Sequence, residues 1–393
     1  MLFSIALIFI IGFLCSQLFQ LLRLPSLIGM MLTGILLGPF VLNLIDPTIL
    51  AISPDLRQMA LIVILIRAGL TLNLEDLKKV GRPALLMCFV PATFELITIT
   101  LLAPLLFSIS YIEAAIMGAV LAAVSPAVVV PRMITLMEEK KGTNKSIPQL
   151  ILAGASVDDI YVIVLFTSFM GIEQGANFDA LTLISVPISI IVGVVIGILT
   201  GLILVQLFKN LHMRDTVKVL LILSVSFLLV TLETAVESFL PMSGLLAVMA
   251  LGATLLKKYA VLATRITGKF SKIWVGAEML LFVLVGAEVN IQYITEVGLS
   301  AVWMILVALA FRMVGVFLSL MKTPLTLKER LFCAVAYTPK ATVQAAIGAL
   351  PLAAGVGAGG IILAVAVLSI LISAPIGAIG IDVTKNRLLT RTL

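Results

Sequence analysis

The chain has 393 residues, 61% of them hydrophobic and only 12% charged, with a mean hydropathy of +1.24 and a formal net charge of +6. A soluble domain carries roughly a quarter of charged residues, so this composition excludes a water-soluble globular protein. The apolar runs are continuous, which excludes a membrane β-barrel, whose strands alternate polar and apolar over about 10 residues. An all-α integral membrane protein is left.

Charged and Pro/Gly-rich breaks divide the chain into thirteen candidate transmembrane helices. The first six are predicted at about residues 2–22, 26–44, 56–73, 83–107, 112–131 and 148–171. The other seven are predicted at about 181–208, 217–234, 243–256, 272–293, 299–321, 331–350 and 360–381. The first, MLFSIALIFIIGFLCSQLFQLL, has no basic leader and no small-residue cleavage site, so it is expected to be a retained helix. The fifth and twelfth carry prolines in their middles, and the seventh holds Gly193, Gly197 and Gly201 at the spacing of close helix packing. GVGAGG at 355–360 lies between two apolar helices and follows no strand, so a nucleotide role is excluded. Cys15, Cys88 and Cys333 are scattered and the single histidine, His212, sits in a basic loop, which leaves no haem, zinc or iron–sulfur site and no cofactor.

The basic residues mark topology rather than nucleic-acid binding. Loops after odd-numbered helices, together with the C-terminus, hold 22 of the 26 Lys and Arg residues, and the opposite loops hold Arg57 alone. By the positive-inside rule the N-terminus is expected outside the cell membrane and the C-terminus in the cytoplasm. The outer loops carry eight acidic residues, a field that favours cation approach.

The two halves resemble each other. PSLIGMMLTGILLG in the second helix aligns with MSGLLAVMALGATLL in the ninth, with Gly34 and Gly252 218 residues apart. VILIRAGLTLN in the third aligns with LFVLVGAEVNI in the tenth at the same offset, and the break at Ser125-Pro126 matches that at Pro339-Lys340. Helices 1–6 and 8–13 are separated by an odd number, so an inverted repeat with two crossed broken helices is expected, the plan of secondary transporters.

Eight ionisable residues fall inside the predicted helices: Arg67, Glu95, Asp158, Asp159, Glu278, Glu288, Arg312 and Lys340. A charge at mid-bilayer costs about 2.5–3.5 kcal/mol on insertion scales, so such groups pair or carry function. Asp158 and Asp159 are adjacent at mid-helix and point about 100° apart. One can face a cavity while the other meets a neighbouring helix, and the alternative is a static pair locked to Arg312 or Lys340. Pro126 and Pro339 free carbonyls at the two breaks, and hard alkali cations take oxygen ligands. Lys340 can offset a helix end or an aspartate, or remain a fixed counter-charge. Glu95 and Arg312 occupy equivalent places in the two halves and are expected to form an internal ion pair. Arg67 and Glu278 are expected to pair as scaffold, and Glu288 sits towards the outer end of its helix.

SPAVVVP, ASVDD, LLFVLVGAEV and TPKATVQAAIG, in this order, resemble the sodium/proton antiporters of the monovalent cation/proton antiporter superfamily, in the branch with a double-aspartate motif. The resemblance covers nearly the whole chain and implies the sodium/proton antiporter fold with an elevator-like movement. It implies a homodimer with a dimerisation domain at 1–80 and 216–298, a core ion-transport domain at 81–172 and 299–393, and a linker helix at 173–215. It further implies that Asp159 is the main ligand of Na⁺ or Li⁺ and that Asp158 pairs with a basic residue. Electrogenic relatives carry a lysine where this chain has Arg312, and arginine does not release a proton. Transport is then one-for-one, or Lys340 serves as a second proton carrier. The expected function is exchange of Na⁺ or Li⁺ for H⁺ by competition at Asp158 and Asp159. The alternative is a sodium-coupled solute symporter on the same fold, which needs polar residues spread along a larger cavity. An embedded hydrolase or redox enzyme lacks its catalytic cluster here, and a gated cation channel is distinguished by conductance.

Overall fold

The computed structural model describes residues 1–22, 24–71, 81–175, 180–236 and 242–390. Arg23, Glu75, Asp76, Lys78, Lys79, Asp179, Glu237 and Arg391, all part of the charge pattern, lie outside the described residues. Within these bounds the regular elements are helices: α1 (Leu2–Leu21), α2 (Ser26–Leu37), α3 (Pro47–Ala51), α4 (Ser53–Thr71), α5 (Arg82–Met87), α6 (Val90–Phe107), α7 (Tyr111–Ala122), α8 (Pro126–Glu138) and α9 (Ile147–Glu173). They continue with α10 (Ala180–Asn210), α11 (Asp215–Val236), α12 (Gly244–Lys258), α13 (Ala260–Ala287), α14 (Ile291–Ser319), α15 (Leu327–Ala336), α16 (Thr342–Ile347), α17 (Leu350–Ala353) and α18 (Gly359–Leu388). Among the described residues, seven helical stretches are long and apolar enough to cross a membrane, among them Leu2–Leu21, Arg82–Phe107 and Gly359–Leu388.

Helix ends follow local chemistry. Ser110 and Glu113 cap α7 reciprocally, and Thr326 and Glu329 do the same for α15. Two expectations are corrected. The predicted helix 83–107 is divided at Cys88–Phe89 into α5 and α6, because Pro91 has no N–H to offer the turn before it. The helix predicted from 272 begins at Ala260, so Arg265, Lys269 and Lys272 ride on its first turns rather than in a loop. Lysine and arginine are good helix formers, and no Pro or Gly stood there to end the helix before Gly268.

Contacts group the chain into two units. One comprises Met1–Pro54, Asn73–Gln174 and Leu281–Leu393; the other comprises Asp55–Leu72 and Gly175–Leu280. In the first, Met133, Ile147, Ile151, Val316, Phe332 and Tyr337 belong to one buried cluster. There Gly34 of α2 lies against the Val283 carbonyl of α13, and Gly286 lies against the Met31 carbonyl, so no side chain fits between the two helices. In the second unit, Gly252 of α12 packs on the backbone of Ile66 and Gly69 in α4, and Gly193 and Gly197 of α10 pack on Ser243 and Ala247. The glycines at 193, 197 and 201 therefore serve close helix approach, as their spacing suggests.

Candidate ion-binding site

Two helices of the first unit stop in mid-course. Proline at 126 lacks the N–H that would bond the carbonyl of Ala122, so α7 ends there and α8 starts at Pro126 after an extended Ser125. Proline at 339 acts alike on Val335, whose carbonyl takes the Thr338 hydroxyl at 2.9 Å instead. α15 ends at Ala336 and α16 begins at Thr342. The two interruptions touch: the Ser125 amide donates to the Pro339 carbonyl at 2.8 Å. Gly377 of α18 leaves room for the Pro339 ring.

Three other helices bring charges to this point. α6 supplies Glu95, α9 supplies Asp158 and Asp159, and α14 supplies Arg312. Glu95, Asp158, Arg312 and Lys340 are all at most 2% exposed. Arg312 holds four acceptors. Its Nε donates to the Tyr337 carbonyl at 2.7 Å, Nη1 to Glu95 Oε2 at 2.8 Å and to the Ala122 carbonyl, and Nη2 to Asp158 Oδ2 at 3.0 Å. The guanidinium thus satisfies carbonyls at the C-terminal ends of α7 and α15, where the helix dipole favours a cation. The expected Glu95–Arg312 pair is present, and Lys340 joins it, with Nζ 2.5 Å from Glu95 Oε2. Lys340 therefore lies on Glu95 and not on an aspartate. The Val124 amide donates to Asp158 Oδ2 at 2.8 Å.

Asp159 is different. It makes no hydrogen bond or ion pair with the described residues, although its Oδ1 is buried. Asp158 Oδ1, Ser125 Oγ, Thr342 Oγ1 and Gln344 Oε1 are also buried without a partner among them. A hard monovalent cation is bound by such oxygens. The five charged side chains leave one negative charge uncompensated: Glu95, Asp158 and Asp159 against Arg312 and Lys340.

The sequence pattern passed over Gln344, whose Nε2 donates to the carbonyls of Leu121 at 3.2 Å and Ala123 at 2.9 Å. It also passed over Ser373, whose hydroxyl accepts the Lys340 amide at 3.0 Å. Gln344 stood in TPKATVQAAIG as a polar residue inside an apolar run, which was a usable signal; Ser373 had none. Outside the site, Arg67 and Glu278 are near enough to attract each other as expected, but they form no direct ion pair among the described residues, and Trp274 bonds Glu278 instead. The Arg67 guanidinium lies over the Trp274 ring, 5.8 Å from the centroid.

The sequence pattern of the transmembrane sodium/hydrogen exchanger family matches residues 4–384. Sodium/hydrogen exchanger 9B2 of Homo sapiens is 33% identical over 409 residues, which cover 99% of this chain and 75% of that protein. Sodium/hydrogen exchanger 9B1 of Mus musculus is 32% identical, over 100% of this chain and 72% of its own. The structure of the sodium proton antiporter MjNhaP1 from Methanocaldococcus jannaschii superposes with a TM-score of 0.85 at 21% identity, over 98% of this chain and 97% of that one.

Proposed function

The chain belongs to the sodium/hydrogen exchanger family, and from that premise we propose that it exchanges Na⁺ or Li⁺ for H⁺, one for one, at Asp159. The observation that carries this reading is the Asp159 carboxylate, which has no partner among the described residues, beside a cluster whose other charges are matched. One surplus negative charge takes one monovalent cation or one proton, and not both. Competition for that charge is sufficient for obligatory exchange. Asp158 Oδ1, Ser125 Oγ, Thr342 Oγ1 and Gln344 Oε1 are the further ligand candidates. Pro126, Thr338 and Pro339 shape the breaks that present them.

Arg312, Glu95 and Lys340 hold the frame in this reading and Lys340 is a counter-charge, since Glu95 engages its ammonium at 2.5 Å. The fold that accompanies it has thirteen spans in inverted repeats, with two crossed broken helices. Two matched contacts support the repeat. The Val124 amide meets Asp158 34 residues on, and the Lys340 amide meets Ser373 33 residues on. Gly34 and Gly252 are close-packed in the same way. The assigned domains are a dimerisation domain at 1–80 and 216–298, a linker helix at 173–215, and a core at 81–172 and 299–393 that moves like an elevator in a homodimer. The N-terminus lies outside and the C-terminus in the cytoplasm of a cell membrane, whose lipids and transported ions are the partners. A sodium-coupled solute symporter is not favoured, because the candidate ligands Ser125, Asp158, Thr342 and Gln344 sit at or against the two helix breaks instead of lining a long cavity.

Proteoliposomes carrying an internal pH dye test the assignment. Added Na⁺ or Li⁺ should drive proton movement in the wild type and none above background in Asp159→Asn, with the variant still folded. Near-normal exchange in that variant removes Asp159 as the ion carrier.

A further inference from the structure

A polar cavity lies within the other unit, where α10 ends and α11 begins. It has a volume of about 420 Å³, and Lys209, His212, Arg214 and Lys218 line it beside Phe208 and Tyr259. Lys218 is only 5% exposed, yet no carboxylate meets it among the described residues; its ammonium lies 5.6 Å from the centre of the Phe208 ring. Lys209 lies in the same way over Tyr259, at 5.7 Å. Arg265 also lines the cavity, and Asp215 pairs with it at 3.1 Å. Lys209, Arg214 and Lys218 thus converge on a cavity where no carboxylate among the described residues matches them. Burying Lys218 without a counter-ion is costly, so its position calls for a ligand that brings negative charge.

The surroundings indicate what that ligand is. From the cavity, α10 presents Leu199, Leu202 and Ile203 and α11 presents Leu220 and Leu228 as exposed apolar residues. Both helices are long and apolar enough to cross a membrane, so the cavity stands at the membrane surface. We propose that this cavity binds the phosphate of an anionic phospholipid headgroup, with the acyl chains lying along α10 and α11. Clustered Lys and Arg beside a membrane helix attract such headgroups, and the cavity adds a buried cation and two aromatic walls. The site is separate from Asp159 and does not depend on the exchange reading.

Thermal unfolding of the full-length protein in detergent tests this, with phosphatidylglycerol, phosphatidylcholine or inorganic phosphate added. Phosphatidylglycerol should raise the midpoint saturably, by about 3 °C or more, and phosphatidylcholine should not. Lys209→Gln/Arg214→Gln removes two exposed charges and leaves buried Lys218 in place. Its unfolding midpoint in phosphatidylcholine should equal the wild type's, while its apparent affinity for phosphatidylglycerol falls on the order of tenfold. Lys218→Met should abolish the shift. An equal response to phosphatidylcholine, or an unchanged affinity in the double variant, overturns the site. The same saturable shift with inorganic phosphate alone overturns the lipid assignment.

Discussion

Arg312 meets four acceptors from four segments: Glu95, the Ala122 carbonyl, Asp158 and the Tyr337 carbonyl. A lysine has three donors on one nitrogen and cannot reach them in a plane, so arginine fits this position for its shape as well as its charge. Removing one partner of a buried ion pair strands the other, at a cost of about 3–5 kcal/mol. Glu95→Gln and Arg312→Gln should therefore each lower the unfolding midpoint, and the double variant should recover part of the loss. A double-mutant cycle in detergent should give a coupling of about 0.5–3 kcal/mol. Additive losses would mean that the pair contributes nothing jointly. Lys340 sets the scale of the recovery, since it remains on Glu95 when Arg312 is gone.

Between elements, two contacts expose the forces at work. Gly34 meets main chain and not a side chain, so a Cβ there has no flexible neighbour to displace. Gly34→Ala should separate α2 from α13 and cost about 1–3 kcal/mol, read as a lowered unfolding midpoint. Gly252→Ala should cost less, because its nearest atoms are 3.0 Å away, and equal costs would count against this ranking. The end of α8 is tied to α18 by charge. Glu139 bonds Lys141 at 2.6 Å and Lys385 at 2.9 Å, and the loop amide of Gly142 donates to the Thr390 carbonyl. Bonds from Lys141, then from Lys385, hold the Glu139 carboxyl at about 2, below its ordinary 4.5. A depressed carboxylate stabilises the fold above the unfolded value and loses that contribution as pH falls from 4.5 towards 2. Exposed pairs contribute about 0.2–1 kcal/mol, so the effect is local. The protection of amides in residues 385–390, taken relative to their intrinsic exchange rates, should fall over that pH range, and Glu139→Gln should show the lowered protection already at neutral pH. Protection unchanged by either would remove the tie.

At the scale of the whole molecule, the proposed exchange at Asp159 makes a prediction through the charge that the cluster carries. A cluster with three carboxylates and two fixed cations carries one negative charge when empty and none when loaded with either Na⁺ or H⁺. Neither loaded form then crosses the membrane field with net charge, so no voltage work is done on it. Exchange in proteoliposomes should run at the same rate with the membrane potential clamped at zero or at 100 mV of either sign. A potential-dependent rate would require a second group that titrates when the cation arrives, and Lys340 is the group to test.

The sequence by itself determined the class of protein, because a mean hydropathy of +1.24 leaves no soluble solution. It also picked out the candidate cluster, because proline in an apolar run and charge in mid-membrane are local signals. Pro126, Pro339, Glu95, Asp158, Asp159, Arg312 and Lys340 could all be picked out on those grounds, and the structure brings them together. What the tertiary structure alone decided is the rest of the pairing, beyond the Glu95–Arg312 pair that the repeat already suggested. Arg312 reaches Asp158 across 154 residues and Lys340 reaches Glu95 across 245. Which cation meets which acid depends on how the interrupted helices pass each other, and no spacing along the chain encodes that. The same holds for Gln344 and Ser373, which act only because a broken helix leaves carbonyls and amides within their reach. It holds also for Asp159, since nothing in the Asp158-Asp159 dipeptide says which member Arg312 will take. Helix rotation makes that choice, by turning Asp158 to the guanidinium and leaving its neighbour without a partner among the described residues.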